Sequence, residues 1–286
     1  MSGLLLVDKP PGPTSHDVVK RVREWSGMRK VGHLGTLDPA AEGLVIVCVG
    51  EAVKLVPWLE GFDKEYRVRL RLGMATDTQD TTGTVLAERP LAGLDEGTVR
   101  AACEAFRGEI LQVPPMFSAL KFGGWKLVDI ARSGRQVERA ARPATVHEIE
   151  IESIALPEVA FRVRVSKGTY VRTLCHDIGA KLDCGGAMSW LRRTRSGPFD
   201  VRDAHPLDRL PPFPQGLRPV LEGLVHLPRA TLDPVRVDRV RHGRRVPSAG
   251  LPDGAVALLD ESGRLFAIGR AGEGTLRPVR VLEPGK

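Results

Sequence analysis

A carboxylate set between a leucine and a proline, in a loop punctuated by glycine, can be presented to a substrate. Residues 32–43 read GHLGTLDPAAEG, with Asp38 between Leu37 and Pro39. Pro39 pushes Asp38 out of the α region towards an extended backbone. Gly32, Gly35 and Gly43 permit tight turns and close approach of another molecule's backbone, and His33 lies five residues upstream. Two readings are open. Asp is a favoured N-cap and Pro a favoured first helical residue, so Asp38-Pro39-Ala40-Ala41 fits a short helical turn ended by Gly43. Glu42 falls one residue late for a capping box. The other reading is a catalytic carboxylate held at the edge of a cleft.

Aromatic residues make up only 5% of the chain, and there are two tyrosines, Tyr66 and Tyr170. Tyr66 lies in the alternating stretch EYRVRLRLG, on the face of Val68, Leu70 and Leu72, opposite Arg67, Arg69 and Arg71. It is either a core tyrosine with a satisfied hydroxyl or part of a site. Tyr170-Val171-Arg172 follows Lys167-Gly168 at a strand-to-helix junction, where sites are often built; an ordinary surface arginine is the competing reading for Arg172. The strip LRRTR, with Arg192, Arg193 and Arg195, is either a solvated strand face or a rail for phosphates. The net charge of +7 favours the rail and a polyanionic partner, nucleic acid before membrane.

The elements that position these residues follow from periodicity. The start of the chain reads as a buried strand, a proline-rich turn, and a helix capped by Thr14 or Ser15 with the stripe Val18, Val19, Val22. An apolar strand follows over 44–50, an alternating strand over 65–73, and helices over 98–106 and 127–132. Further strands cover 145–154 and the run from residue 160, which enters a helix near Tyr170. Mixed elements without regular βαβ alternation predict an α+β core with a largely antiparallel sheet and flanking helices. The Pro-rich stretch 211–228 reads as a linker between a domain of residues 1–210 and a small β-rich domain of residues 229–286. Arg241 and Arg244 belong to RVDRVRHGRR, which holds five arginines near the start of the second.

There is no Gly-rich nucleotide loop, HExxH or GxSxG. The four cysteines are scattered, with no CxxC pair, which suggests neither a disulfide framework nor zinc. No cofactor and no metal are expected. No signal pattern or membrane-length apolar run is present, so the expected compartment is the cytoplasm.

With these residues in place, the sequence resembles the TruB family of bacterial tRNA pseudouridine synthases. GHLGTLDPAAEGLVIVCVGEAVK is similar to its catalytic motif. LLLVDKPPGPTSHDVV, DKEYRVRLRLGMATDTQDTTG, PPMFSALKFGGWKL, ARPATVHEIEI, SKGTYVRTLCHDIG and LDCGGAMSWLRRTRSG follow in the family's order. The tail resembles a PUA-like RNA-binding module. Leu34 and Glu42 depart from the pattern, standing where the family usually has threonines.

The resemblance implies isomerisation of uridine 55 in the T loop of tRNA, after the base is flipped out. It makes Asp38 the nucleophile, attacking C1′ or adding to C6. Arg172 becomes the cation that keeps Asp38 ionised, and Tyr66 stacks on the base and moves a proton late in the reaction. Tyr170 and Leu191 line the uridine pocket, and His33 occupies space near the flipped base. Lys9, the arginine strip and the tail grip phosphates. The expected partner is tRNA, with no obligate protein partner and a monomeric chain. Two alternatives are a non-catalytic RNA-binding or tRNA-folding module and an RNA-guided relative in a multi-protein particle.

Overall fold

The structure, a computed structural model, describes residues 2–248 and 250–282. The strands used below are, in chain order, β1 (Gly3–Lys9), β2 (Val31–Leu34), β3 (Glu42–Val49), β4 (Lys64–Leu72), β5 (Gly108–Gln112), β6 (Arg142–Ala155), β7 (Glu158–Val165) and β8 (Gly186–Ser196). They continue with β9 (Arg229–Thr231), β10 (Val246–Pro247), β11 (Gly254–Leu259), β12 (Leu265–Gly272) and β13 (Thr275–Val281). The helices are α1 (Ser15–Ser26), α2 (Glu96–Glu104), α3 (Val171–Lys181) and α4 (Pro234–Arg241). No helix among the described residues is long and apolar enough to cross a membrane.

The chain divides into two compact units. The first comprises Met1–Pro39, Gly43–Gly61 and Gly197–Lys286. In it β3 pairs antiparallel with β1, from Gly3↔Val49 to Lys9↔Gly43, and with β2. Helix α1 starts as expected: Thr14 and Asp17 form a reciprocal capping box, and Val18, Val19 and Val22 are buried. The segment 211–228 is packed rather than loose. Leu4 and Arg218 exchange backbone hydrogen bonds of 2.9 and 2.8 Å, and Leu224 is fully buried beside Leu4, Leu6 and Ile46. The C-terminal strands form a five-stranded sheet in the order β9-β11-β12-β13-β10. The hairpin expected in VALLDESGRLFAIG is β11–β12, its turn gathered on Asp260 Oδ1, which accepts from the backbone of Ser262 and Arg264.

The second unit comprises Ala40–Glu42 and Phe62–Ser196. Its sheet runs β8-β4-β7-β6-β5, every neighbouring pair antiparallel. One face is apolar, with Val68, Leu70, Phe161 and Val163 at 1% exposure or less. The other face carries the arginines of β4 and β7. Helix α2 begins two residues before the expected start because the Asp95 side chain caps it, accepting from Thr98 N at 2.7 Å. An α+β fold with a largely antiparallel core sheet and a small β-rich C-terminal sheet is the observed architecture.

Candidate functional site

Asp38 lies in the loop between β2 and β3, half-buried. The loop makes no helical turn. Pro39 and Ala40 form a turn, and Glu42 already opens β3, so the short helix considered for this stretch is corrected to a turn followed by a strand. Gly35 and Gly43 take φ of +77° and +104°, which side chains resist, whereas Gly32 is ordinary strand backbone. The residues either side of Asp38 are fastened. Ser15 Oγ accepts from Leu37 N at 2.8 Å and donates to Leu37 O at 3.1 Å. Pro39 O accepts from Gly12 N at 2.8 Å and from Lys9 Nζ at 3.1 Å. Such bonds fix the backbone on both sides of the acid and leave its direction little freedom.

Lys9 is therefore corrected. It has no exposed surface, and its ammonium donates to the carbonyls of Pro10, Pro13 and Pro39. A lysine enclosed in this way braces the loop and has no surface with which to meet a phosphate. Carbonyl acceptors gathered around the charge are how a buried ammonium is tolerated. His33 is half-buried on β2, with Val47 of β3 as its cross-strand neighbour.

In the second unit the register places Tyr66 between Arg193 of β8 and Val163 of β7. Directly opposed residues of antiparallel strands share a face, so Tyr66, Leu191, Arg193 and Val68 lie together on the buried side. Tyr66 is 7% exposed and Leu191 6%. Tyr170 is the residue before α3, and Arg172 is in its first turn, 6% exposed. The Arg172 guanidinium donates to Phe117 O at 2.8 Å and Thr78 O at 3.5 Å. Thr173 Oγ1 donates to Gln79 Oε1 at 2.7 Å, so the turn 76–80 is tied to the helix twice. Gly179 seats α3 on the start of β8: a Cβ there would stand 2.1 Å from Gly186 N.

Sequence reasoning missed Gln112. Its amide donates to Tyr170 O at 3.2 Å and accepts from Tyr170 N at 3.0 Å, holding the backbone of a site candidate from 58 residues away. No local signal marks a buried glutamine at a strand end. It also missed Phe122 and Trp125, which are 50% and 69% exposed on a two-stranded hairpin between Lys121 and Lys126. Aromatics interleaved with lysine are a composition that single-stranded nucleic acid favours, and the low aromatic content was the available signal.

The arginine strip divides. Consecutive strand residues point to opposite faces, and Arg193, 1% exposed, is among the largest fully buried side chains. It is corrected from a phosphate contact to a buried cation beside Tyr66. Arg192 points the other way and is ion-paired with Glu42 at 3.2 Å. Arg195 is exposed. Arg192, Arg67 and Arg162 stand directly opposite one another across β8, β4 and β7. Acids answer all three: Arg192 meets Glu42, Arg67 meets Glu152 at 2.8 Å, and Arg162 meets Glu65 at 3.0 Å and Glu150 at 2.5 Å. Arg164 likewise meets Glu148 at 2.8 Å and Asp63 at 3.2 Å. Hydrogen bonding and charge from Arg164 hold the Glu148 carboxyl below its ordinary value.

On the first unit, Arg241 and Arg244 are exposed, at and just beyond the end of α4, with Arg241 5.8 Å from the Phe266 ring centroid. Among the described residues no group of three or more His, Cys, Asp or Glu could hold a metal ion. Burial pushes the Cys48 thiol up to about 12 and the Cys103 thiol to about 11, so neither is poised as a nucleophile.

Comparison with known proteins covers the whole chain. Residues 23–171 match the TruB family pseudouridylate synthase N-terminal domain, 172–213 the tRNA pseudouridylate synthase B C-terminal domain, and 228–282 the pseudouridine synthase II TruB C-terminal domain. The tRNA pseudouridine synthase B of Burkholderia pseudomallei (strain 668) is 44% identical over all of this chain and 98% of its own length. That of Geotalea uraniireducens is 50% identical over 73% of this chain and 67% of its own. Among solved structures, a chain of a Cbf5-Nop10-Gar1 complex has a TM-score of 0.73 and 31% identity, covering 99% of this chain and 84% of that one. A chain of an H/ACA RNP bound to a substrate RNA containing 2′-deoxyuridine has a TM-score of 0.75 and 27% identity, covering 99% and 85%. Matched in this way along its length, the chain belongs to the TruB family of pseudouridylate synthases.

Proposed function

We propose that the protein is a tRNA pseudouridine synthase that isomerises uridine 55 of the T loop, acting in the cytoplasm as a monomer on free tRNA. The observation that carries this reading is Asp38. It is half-buried in a loop whose backbone is fastened at Leu37 and Pro39, in a chain aligned end to end with proteins named tRNA pseudouridine synthase B. In the reaction the N1–C1′ bond of uridine breaks, the ring turns, and a C5–C1′ bond forms. The C5 proton departs and N1 gains one, so no redox partner is needed. Asp38 is the nucleophile, at C1′ or at C6. Arg172 supplies the positive charge that favours an ionised carboxylate. Tyr66 borders the base and accepts the C5 proton. Tyr170, Leu191 and His33 enclose the flipped nucleotide, whose extrusion costs a few kcal/mol. Residues 229–282 and the exposed arginines Arg195, Arg241 and Arg244 hold RNA phosphates, which position the substrate without reading its sequence.

The test uses tRNA tritiated at uracil C5. Wild-type protein releases tritium to water, and Asp38→Asn lowers the rate by about 10⁴-fold or more, the scale of losing a covalent nucleophile, while tRNA still binds. Equal rates in the two proteins reject the nucleophile. The structural likeness to a chain of an H/ACA RNP bound to a substrate RNA favours one other reading, a relative that works within a multi-protein RNA particle. Release from free tRNA, with no added protein or guide RNA, excludes it.

A further inference from the structure

Tyr170 is the residue just before α3, and its side chain makes no capping hydrogen bond. Its backbone is extended, with φ of −97° and ψ of 106°, and its carbonyl accepts from Leu174 N at 3.1 Å. What fixes that backbone from outside the helix is Gln112, the last residue of β5. The Gln112 amide donates to Tyr170 O at 3.2 Å and accepts from Tyr170 N at 3.0 Å. A carboxamide carries the same donor and acceptor as a peptide group, so Gln112 gives Tyr170 what a neighbouring strand would otherwise supply. Gln112 is 3% exposed, and polar groups buried to that degree are costly unless matched. Four residues earlier the same approach to α3 is fastened to β6. Ser166 N donates to Thr145 O at 2.9 Å, and Ser166 Oγ accepts from Thr145 N at 2.9 Å.

Strand β5 stops at Gln112 because Pro114 and Pro115 follow, and proline has no N–H for a ladder. Beyond the prolines the chain meets the same helix again, where Phe117 O accepts from the Arg172 guanidinium at 2.8 Å. One short segment, 112–117, therefore holds the backbone of Tyr170 and receives the side chain of Arg172. We infer that Gln112 is a positioning residue, which fixes the direction of Tyr170 and with it one wall of the pocket for the flipped uridine. This rests on the proposed reading in which Tyr170 encloses that nucleotide. Gln112 acts through Tyr170 rather than on the reacting atoms. A misplacement near 1 Å at such a position is enough to slow a reaction about 10²-fold.

The test uses three full-length variants: Gln112→Met, which removes both hydrogen bonds at similar side-chain length, Tyr170→Ala, and the two combined. Tritium release is measured in single turnover at saturating enzyme and expressed per folded molecule. Affinity for unmodified tRNA is measured by fluorescence anisotropy. Gln112→Met is expected to slow release about 10–100-fold, with tRNA affinity within about 3-fold of wild type, since phosphate contacts elsewhere supply most of it. In the Tyr170→Ala background the same change slows release by less than about 3-fold, because residues that act through one another are not additive. The chain has only two tyrosines, so nitrogen-15 labelling of tyrosine gives two backbone amide signals. Gln112→Met is expected to shift the Tyr170 signal and leave that of Tyr66, within β4, in place. A part played in stability alone would lower Tm and leave the rate per folded molecule unchanged. Should Gln112→Met not fold, Gln112→Glu replaces it, keeping the acceptor for Tyr170 N and, when ionised, losing the donor to Tyr170 O. A folded variant that releases tritium at the wild-type rate, or losses that multiply in the combined variant, overturn the inference and leave the proposed activity standing. Absence of release from wild-type protein sinks the proposed activity instead.

Discussion

The sheet of the second unit and the C-terminal sheet both oppose arginine to arginine, but only the first supplies the acids. Arg67, Arg162 and Arg164 sit among Glu65, Glu148, Glu150 and Glu152, and Arg192 meets Glu42. Arg270 stands between Ala255 and Arg277, Arg280 stands opposite Ile268, and the one acid close by is Asp253, just ahead of β11 and beside Gly272. Charge content and charge availability are separate properties. Exposed ion pairs contribute little stability, typically about 0–1 kcal/mol each, so the acids of the first sheet matter mainly for removing cations from the reach of a ligand. A basic composition then directs a polyanion to wherever no acid has been placed.

The largest effect that would sharpen this contrast lies at Arg193. A buried guanidinium keeps its charge and must be answered by acceptors within the protein. Arg193→Met is expected to cost about 3–5 kcal/mol, as when one member of a buried charged set is lost. Differential scanning calorimetry would register this as a fall in Tm of about 10 °C. Arg277→Met, on the exposed sheet, is expected to stay within about 0.5 kcal/mol. Equal losses at the two positions would break the distinction between them.

A smaller effect is expected at Glu42. Glu42→Gln removes the carboxylate from Arg192 while keeping the shape of the side chain. If neutralisation is what silences that arginine, tRNA binding becomes more salt-dependent by about one phosphate, a slope steeper by roughly 0.7–0.9. An unchanged slope, measured by fluorescence anisotropy, would mean that position rather than pairing keeps Arg192 from RNA.

The smallest effect concerns acid. The folded Glu148 carboxyl is held below its ordinary value of 4.5, so its contribution to stability is present above that value. It is lost as pH falls through the lower folded value. A carbon-13 titration of the Glu148 carboxyl should show its midpoint below 4.5 in the wild type and shifted upward in Arg164→Gln. Identical midpoints in the two proteins would remove Arg164 as the cause.

Much of the molecule is legible in its residue order. The alternation of Tyr66, Val68, Leu70 and Leu72 against Arg67, Arg69 and Arg71 appears as written, buried against exposed. Thr14 caps α1, and the hairpin over VALLDESGRLFAIG forms. A continuous phosphate rail in LRRTR overstates that strip, since adjacent strand residues cannot share a face. Arg192 and Arg193 are bound to part, though nothing local says which goes inward. Lys9 reads as a surface cation because lysine usually is one, and only the return of the chain at Pro39 shows it enclosed.

Residue order settled periodicity, caps, turns and the excess of positive charge, because each depends on neighbours a few positions apart or on composition alone. Folding decided which of those charges a ligand can reach. Neutralising an arginine brings together residues as distant as 42 and 192 or 67 and 152, and the opposition of Arg270 to Arg277 exists only once two strands choose their register.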